Sequence, residues 1–227
     1  ESYINKETGE MGAKYLRYYD LFEYFNKDAK NTLLIGGAAY TYPIHYLKKY
    51  ENKTIDVVEI DDKMTQIAID QFGLNINEHR LKIYSQDGRS FLNYSQNKYD
   101  TILIDAFKGS NVPFELTTYE ALTKAKNMLN ENGMVLTNIV SALEGEDAKF
   151  IEYEYATYKE VFENVKLFRV DDISKTTKQN LILVGIKGNL QEDKKKQEEY
   201  KDFLLMEVID FYTDKPIVKD DLAPIGS

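Results

Sequence analysis

The sequence predicts an α/β fold: a doubly wound, mostly parallel sheet with helices on both faces. Three observations predict it. Short apolar, β-branched runs alternate with helix-period segments along most of the 227 residues. The run "YDTILIDAF", residues 99–107, is almost unbroken apolar sequence, as in a strand covered on both faces. Two further runs near the C-terminus, "VKLFRV" and "NLILVGIKG", follow one another with no helix between them, the pattern of an antiparallel pair.

The elements follow in order. "TLLIGG" reads as a short buried strand ending in two glycines, and a helix runs from about Tyr42 to Tyr50. "TIDVVEID", residues 54–61, is a second strand, followed by a helix over "DKMTQIAIDQFG" that Gly73 closes, because glycine accepts the left-handed C-terminal cap. "RLKIYSQDG" is a third strand with a turn at Asp87-Gly88, and "YDTILIDAF" is a fourth. A helix over "TTYEALTKAKNMLNENG" is ended by Gly133, and "MVLTNIV" makes a fifth strand. A helix from about Asp147 to Phe162 leads into the antiparallel pair. Strand–helix–strand units of this length impose right-handed crossovers. The whole is thus a Rossmann-like, seven-stranded sheet, mostly parallel with an antiparallel C-terminal strand.

Two segments frame this core. In front, "KYLRYYDLFEYF" is an aromatic-rich helix that either covers one end of a ligand cleft or packs on the sheet edge. Behind, "NLQEDKKKQEEYKDFLLMEVIDFY" reads as an exposed helix whose charge run is a solvated face. The expected organisation is a front segment over residues 1–30, a ligand-binding domain over 31–190, and a C-terminal helix and tail over 191–227. The chain starts "ESYINKETGE", without an initiator Met, which suggests a piece of a longer protein.

Composition narrows the chemistry. Hydrophobic residues make up 43% of the chain, enough for a substantial core. The net charge of −9, from 29 basic and 38 acidic residues, argues against a general nucleic-acid binder. With no cysteine, disulfides, thiolate metal sites and cysteine nucleophiles are excluded. His45 and His79 are the two histidines, too few for a histidine-rich metal site, and each reads as a surface or packing residue. No metal is expected. No apolar run reaches the length of a membrane span, so the expected location is cytoplasmic.

In an open parallel sheet, ligands bind beyond the carboxyl ends of the strands. Four such ends carry suggestive residues. Gly36 and Gly37 end the first strand, where glycine lets backbone approach a ligand, although a simple tight turn fits equally well. Glu59, in "VVEID", can accept both hydroxyls of a ribose, and helix capping is its bland alternative, a role that Asp61 fills equally well. Asp87-Gly88 can set a carboxylate against an exocyclic amine, or form an ordinary turn. Asp105 closes "TILID" and faces the place where a reacting group would lie. In this order on consecutive strands the set suits an adenosyl ligand better than a dinucleotide, since no full G-x-G-x-x-G seats a pyrophosphate.

The phrases "LLIGGAAYTYP", "IDVVEIDDKM", "DGRSFL", "YDTILIDAF", "VPFELTTYEAL" and "VKDDLAPI" together resemble the spermidine synthase (aminopropyltransferase) family. That family is a variant of the adenosylmethionine-dependent methyltransferase fold, and the resemblance runs from about Tyr15 to Pro224. It implies S-adenosylmethionine or its decarboxylated form as co-substrate. Gly36, Gly37, Glu59, Ile60, Asp87, Gly88, Asp105 and Ala106 would surround the donor, with Asp105 nearest the chemistry. Ala39, Tyr40, Phe107, Lys108 and Tyr119 would belong to the substrate side and its gate loop, residues 106–116.

Two departures stand out. The family's glycine turn typically holds an aspartate where this chain has Ala39, and its gate loop a second aspartate where this chain has Lys108. Both aspartates would grip or deprotonate an amine, so the resemblance implies a divergent transferase whose acceptor is not ordinary putrescine. A methyltransferase on the same frame is an alternative. So is a non-catalytic adenosyl-binding domain of a larger, membrane-fused protein. A small-molecule acceptor, an amine among the options, and a homodimer complete the expectations, with neither nucleic acid nor a membrane as partner of this chain.

Overall fold

The structure is a computed structural model that describes residues 11–37, 40–107 and 112–221. Its centre is one seven-stranded sheet: β1 (Asn31–Ile35), β2 (Thr54–Glu59), β3 (Leu81–Ser85), β4 (Tyr99–Ile104), β5 (Leu129–Ser141), β6 (Asn164–Arg169) and β7 (Gln179–Ile186). The order across the sheet is β3-β2-β1-β4-β5-β7-β6. The first five strands are parallel, and β7 enters between β5 and β6 antiparallel to both. The doubly wound sheet with an antiparallel C-terminal strand is the expected architecture.

Side chains of successive strand residues point to opposite faces. In β1, Leu34 joins one core cluster, while Leu33 and Ile35 join the other. The first face is covered by the front segment with α2 (Thr41–Lys49) and α3 (Asp62–Phe72), and the second by α4 (Gly88–Tyr94), α5 (Tyr119–Met128) and α6 (Lys149–Val161). Burial on both faces explains why Ile102, Leu103 and Ile104 can be consecutive and all apolar. Asp61 caps α3 by accepting from the Lys63 N–H at 2.9 Å, and Gly73 closes that helix at φ 71°.

Four local expectations are revised. The helix before β5 stops at Met128, not at Gly133. Leu129 is buried and pairs with Tyr99, and Asn132 takes a left-handed φ of 58°, so "LNENG" is a bulged start of β5. After the Asp87-Gly88 turn the chain enters α4, a helix absent from the sequence reading, which assigned no element between that turn and the fourth strand. The charged stretch after residue 190 is not one helix: a 3-10 turn at Lys194–Lys196 and a four-residue helix, α7 (Lys201–Leu204), are its regular parts. The front segment opens as a 3-10 helix at Lys14–Leu21 and becomes α-helical as α1 (Phe22–Phe25).

That front segment does not lie on the sheet edge. Tyr18, Leu21, Phe22 and Phe25 share a cluster with Leu34, Leu103, Leu136, Ile182 and Val184, from the central strands. Edge-to-face contacts between Tyr19 and Tyr42 and between Phe22 and Tyr50 tie it to α2.

Candidate functional site

Parallel strands that start together end together, so β1, β2, β3 and β4 deliver their C-terminal residues to one edge of the sheet. A cavity of about 710 Å³ opens there. Gly36, Glu59, Ile60, Asp87, Gly88, Asp105, Ala106 and Phe107 all line it, joined by Met64, Arg89, Glu115 and Leu116. The strand-end residues picked out from sequence therefore converge on one space.

At the first strand end, Gly36 sits at φ 91°, and a Cβ there would lie 2.6 Å from the Asp105 carbonyl oxygen. Only glycine lets β1 turn so close to β4. The Gly36 N–H donates to Val58 O and the Asp105 N–H to Ile35 O, both at 2.9 Å, which holds the three strand ends in register. Glu59 is buried, and its Oε1 accepts the Asp61 N–H at 2.9 Å. The capping role falls to Asp61, so Glu59 braces the turn while lining the cavity.

Asp87 serves the turn and the helix together: its Oδ1 accepts the Ser90 N–H at 2.8 Å as the N-cap of α4. Behind it, a Cβ on Gly88 would come within 2.5 Å of the Ile35 side chain and 3.2 Å of Leu116. The cavity floor at this end has no room for a larger residue.

Asp105 is the most perturbed group in the site. It is buried, and accepts from Tyr15 Oη at 3.1 Å and from Asn138 Nδ2 at 3.3 Å. Burial pushes its carboxyl up to about 7, against the opposing pull of the Asn138 and tyrosine hydroxyl donors. Burial first, and then the charge of Asp105, raises the Tyr19 hydroxyl well above the usual phenol range. A carboxyl that titrates near neutrality can hold or release a proton at working pH. Glu59, Asp87, Asp105 and Glu115 share the cavity lining with Arg89, the single cation among the described lining residues.

Other expected site residues lie elsewhere. Gly37 packs near Val57 and the Tyr40 ring, not on the cavity. Tyr40 caps α2 at φ 56°, is fully buried, and shares a 2.7 Å hydrogen bond with Thr65 Oγ1. Its hydroxyl is pushed up to about 12 by burial. Tyr119 begins α5 and donates its N–H to Val218 O at 2.8 Å, against the C-terminal tail and outside the cavity lining. Ala39 and Lys108 lie outside the described residues.

Sequence reasoning missed Tyr15, Asn138 and Arg89, and reached Glu115 only as part of the gate loop 106–116. Asn138 left a trace, as a polar residue inside the apolar run "MVLTNIV". Arg89 donates to Glu115 O at 2.9 Å, to Thr118 Oγ1 at 3.0 Å and to Asp220 Oδ2 at 2.5 Å, a set of partners with no local signature.

The two histidines stand apart from this cavity. His79 is exposed beside Glu78. His45 contacts buried Asp20 at 3.2 Å, which also accepts from Tyr42 Oη at 3.0 Å and Lys49 Nζ at 2.8 Å. Burial alone would push the Asp20 carboxyl up, but His45 and Lys49 hold it below its ordinary value. A smaller cavity of about 320 Å³ adjoins this group. Among the described residues no cluster of three or more His, Cys, Asp or Glu could hold a metal ion, and no helix is long and apolar enough to cross a membrane.

Comparison with known proteins places these features in a family. Residues 21–185 match the family described as "Spermine/spermidine synthase domain". A polyamine aminopropyltransferase of Vibrio vulnificus is 31% identical over 149 residues, covering 64% of this chain and 48% of the relative. The chain thus spans about half the length of that protein. Among solved structures, human methyltransferase-like protein 13 in complex with SAH superposes with a TM-score of 0.68 at 20% identity, covering 92% of this chain and 100% of that one. A spermidine synthase in complex with the transition state analogue AdoDATO gives 0.66 at 15% identity, covering 97% and 78%. At these identities the structural likeness speaks for a methyltransferase-like fold, and the family match over most of the chain goes further: this chain belongs to the spermine/spermidine synthase family.

Proposed function

We propose that the chain is a spermidine-synthase-like transferase that binds an adenosyl sulfonium donor and transfers to an amine other than ordinary putrescine. The observation that carries this reading is the convergence of Glu59, Asp87 and Asp105 on one cavity. Relatives of the family are named polyamine aminopropyltransferases, and two proteins of like fold were solved with SAH and with AdoDATO. Glu59 accepts the ribose hydroxyls, Asp87 and Gly88 receive the adenine, and Ile60 and Leu116 supply apolar contacts to its faces. Gly36 lets the donor's chain pass close to the backbone.

In aminopropyl transfer the acceptor nitrogen forms a bond to the carbon beside sulfur. The carbon–sulfur bond breaks, and its electron pair neutralises the sulfonium to a thioether. The proton lost by the nitrogen goes to Asp105, whose carboxyl titrates near 7 and is held in place by Tyr15 and Asn138. Most of the rate comes from aligning nitrogen, carbon and sulfur. Ala39 and Lys108, where the family resemblance implies aspartates, remove one grip on an amine end and one group that orients or deprotonates the attacking amine, and add a cation, at a cost of about 1.5–3 kcal/mol for each charged hydrogen bond lost. An acceptor with one amine, or with a differently placed second charge, answers that change.

Thermal stabilisation by adenosylmethionine, decarboxylated adenosylmethionine and methylthioadenosine tests the reading, because a ligand that prefers the native state must raise its melting temperature. Preference for the decarboxylated donor is expected, with loss of the shift in Glu59→Ala. Preference for adenosylmethionine would favour methyl transfer instead, and no shift with any of the three would sink nucleoside binding. Efficient consumption of putrescine would refute the acceptor argument.

A further inference from the structure

The 3-10 turn Phe114–Leu116 contributes Glu115 and Leu116 to one wall of the cavity. It is closed by the Leu116 N–H to Pro113 O at 2.9 Å and the Thr117 N–H to Phe114 O at 2.8 Å. So short a helix has little stability of its own, and contacts from outside must fix its place. One such contact is apolar: a Cβ on Gly88 would lie 3.2 Å from the Leu116 side chain, so the wall closes on the start of α4. The other is polar. Arg89, the second residue of α4, donates from Nη1 to Glu115 O at 2.9 Å and to Thr118 Oγ1 at 3.0 Å.

What holds Arg89 comes from far along the chain. Its Nη2 donates to Asp220 Oδ2 at 2.5 Å, and Asp220 Oδ1 accepts the Thr118 hydroxyl at 2.7 Å. Arg89, Thr118 and Asp220 therefore form a closed ring of hydrogen bonds, in which Thr118 is also the N-cap of α5. A planar guanidinium suits such a ring, because its fork of donors meets two acceptors in fixed directions. The segment that carries Asp220 is itself anchored. Val218 is buried, its N–H donates to Thr157 Oγ1 at 2.9 Å, and its carbonyl accepts the Tyr119 N–H at 2.8 Å. The Asp220 N–H donates to Glu120 Oε2 at 3.0 Å. Residues 218–220 thus tie α4, the turn and α5 together beside the Asp87-Gly88 end of the cavity.

We propose that Asp220 is a positioning residue of the candidate site: acting through Arg89 and Thr118, it sets the Phe114–Leu116 wall against Gly88 and so shapes the end of the cavity assigned to the nucleobase. That assignment rests on the adenosyl-ligand reading above. The Asp220 side chain is 42% exposed, so a substitution there opens the ring without opening the core. As an isolated ion pair so exposed a contact would count for little, and its value here lies in the three elements it keeps in register.

Two measurements on wild type, Asp220→Ala, Arg89→Ala and the double variant test this. Hydrogen exchange compares the amides of residues 116–118, which close the turn, with those of β1 and β4. Asp220→Ala is expected to speed exchange at 116–118 by about tenfold while the strands stay protected as in wild type. Calorimetric titration with methylthioadenosine, well below the melting temperature, is expected to show affinity about three- to tenfold weaker in either single variant. The double variant should lose no more than the worse single one, because both substitutions open the same ring. A lowered unfolding midpoint with exchange at 116–118 and affinity as in wild type makes Asp220 an anchor of the tail only, and overturns the proposal. Faster exchange with unchanged affinity, or losses that add in the double variant, overturns it as well. Wild-type protein that binds no methylthioadenosine overturns the adenosyl reading, and exchange at 116–118 then decides by itself whether Asp220 holds the wall.

Discussion

Tyr15 Oη lies 3.1 Å from Asp105 Oδ2, joining the front segment to the end of the fourth strand across 90 residues of sequence. The front segment is thus part of the candidate site as well as of the core. Tyr15→Phe should keep the fold, since the edge contact between rings 15 and 19 needs no hydroxyl. It removes a donor that favours the ionised carboxylate, so the Asp105 pKa should move further above 7. The pH–rate profile for transfer should shift to the alkaline side, with about a tenfold or larger loss of rate at neutral pH. An unshifted profile would detach Tyr15 from the chemistry.

Asp105→Asn should abolish the proton-accepting step while leaving nucleoside binding within a few-fold of wild type. In the wild-type chain, activity should rise with pH through about 7 as Asp105 ionises. Binding titrations and a rate–pH series on the same preparations separate the two effects.

Glu154 offers a test of stability away from the cavity. It is buried, accepts from Thr117 Oγ1 at 2.9 Å through one oxygen, and has no partner for the other among the described residues. Burial pushes its carboxyl up to about 8. Because the folded value is raised, the unfolded chain ionises first as pH rises from about 4.5, and native stability falls until about pH 8. Glu154→Gln should therefore gain on wild type across that window, by on the order of 5 kcal/mol in total. Below pH 4.5 the variant should show no gain, and an unpaired amide hydrogen could leave it about 1 kcal/mol worse. Urea unfolding of both proteins at pH 4 and pH 8.5 reads the difference, and a pH-independent offset would contradict it.

Asp87 has two duties that a single substitution can separate. Asp87→Ser keeps an N-cap acceptor for α4, so stability should stay within about 0.5 kcal/mol of wild type. The shorter side chain no longer reaches the cavity, and stabilisation by methylthioadenosine should fall. Asp87→Ala should lose both, including about 1 kcal/mol of capping. Equal thermal shifts in wild type and Asp87→Ser would leave capping as its whole role.

Gly36→Ala should destabilise the chain by at least about 2 kcal/mol, from the positive φ together with a Cβ driven into the β4 backbone. Gly73→Ala, at φ 71° but in open space, should cost less, about 1 kcal/mol. Chemical denaturation of the pair distinguishes conformational strain from collision.

Much of this protein was legible along the chain. Apolar periodicity, Gly73 as a helix stop and the βαβ alternation determined the sheet and its winding, because helix and strand formation respond to residues a few positions apart. The same alternation brought Gly36, Glu59, Asp87 and Asp105 together, since parallel strands present their C-terminal ends on one edge. The short helix after Gly88 and the early break at Leu129 escaped, because turn chemistry and burial of one leucine outweighed the local pattern. Packing alone decided the rest. Tyr40 is buried at the start of α2, and Tyr119 gives its backbone N–H to Val218 O of the C-terminal tail, both outside the cavity lining. Asp105 acquired its raised proton affinity from burial, which outweighs the opposing donors on Tyr15 and Asn138. One side-chain oxygen of Glu115 was left buried and, among the described residues, without a hydrogen-bond partner. Proton affinity and hydrogen-bond satisfaction depend on what surrounds a group in space, and for these residues the surroundings come from distant parts of the chain.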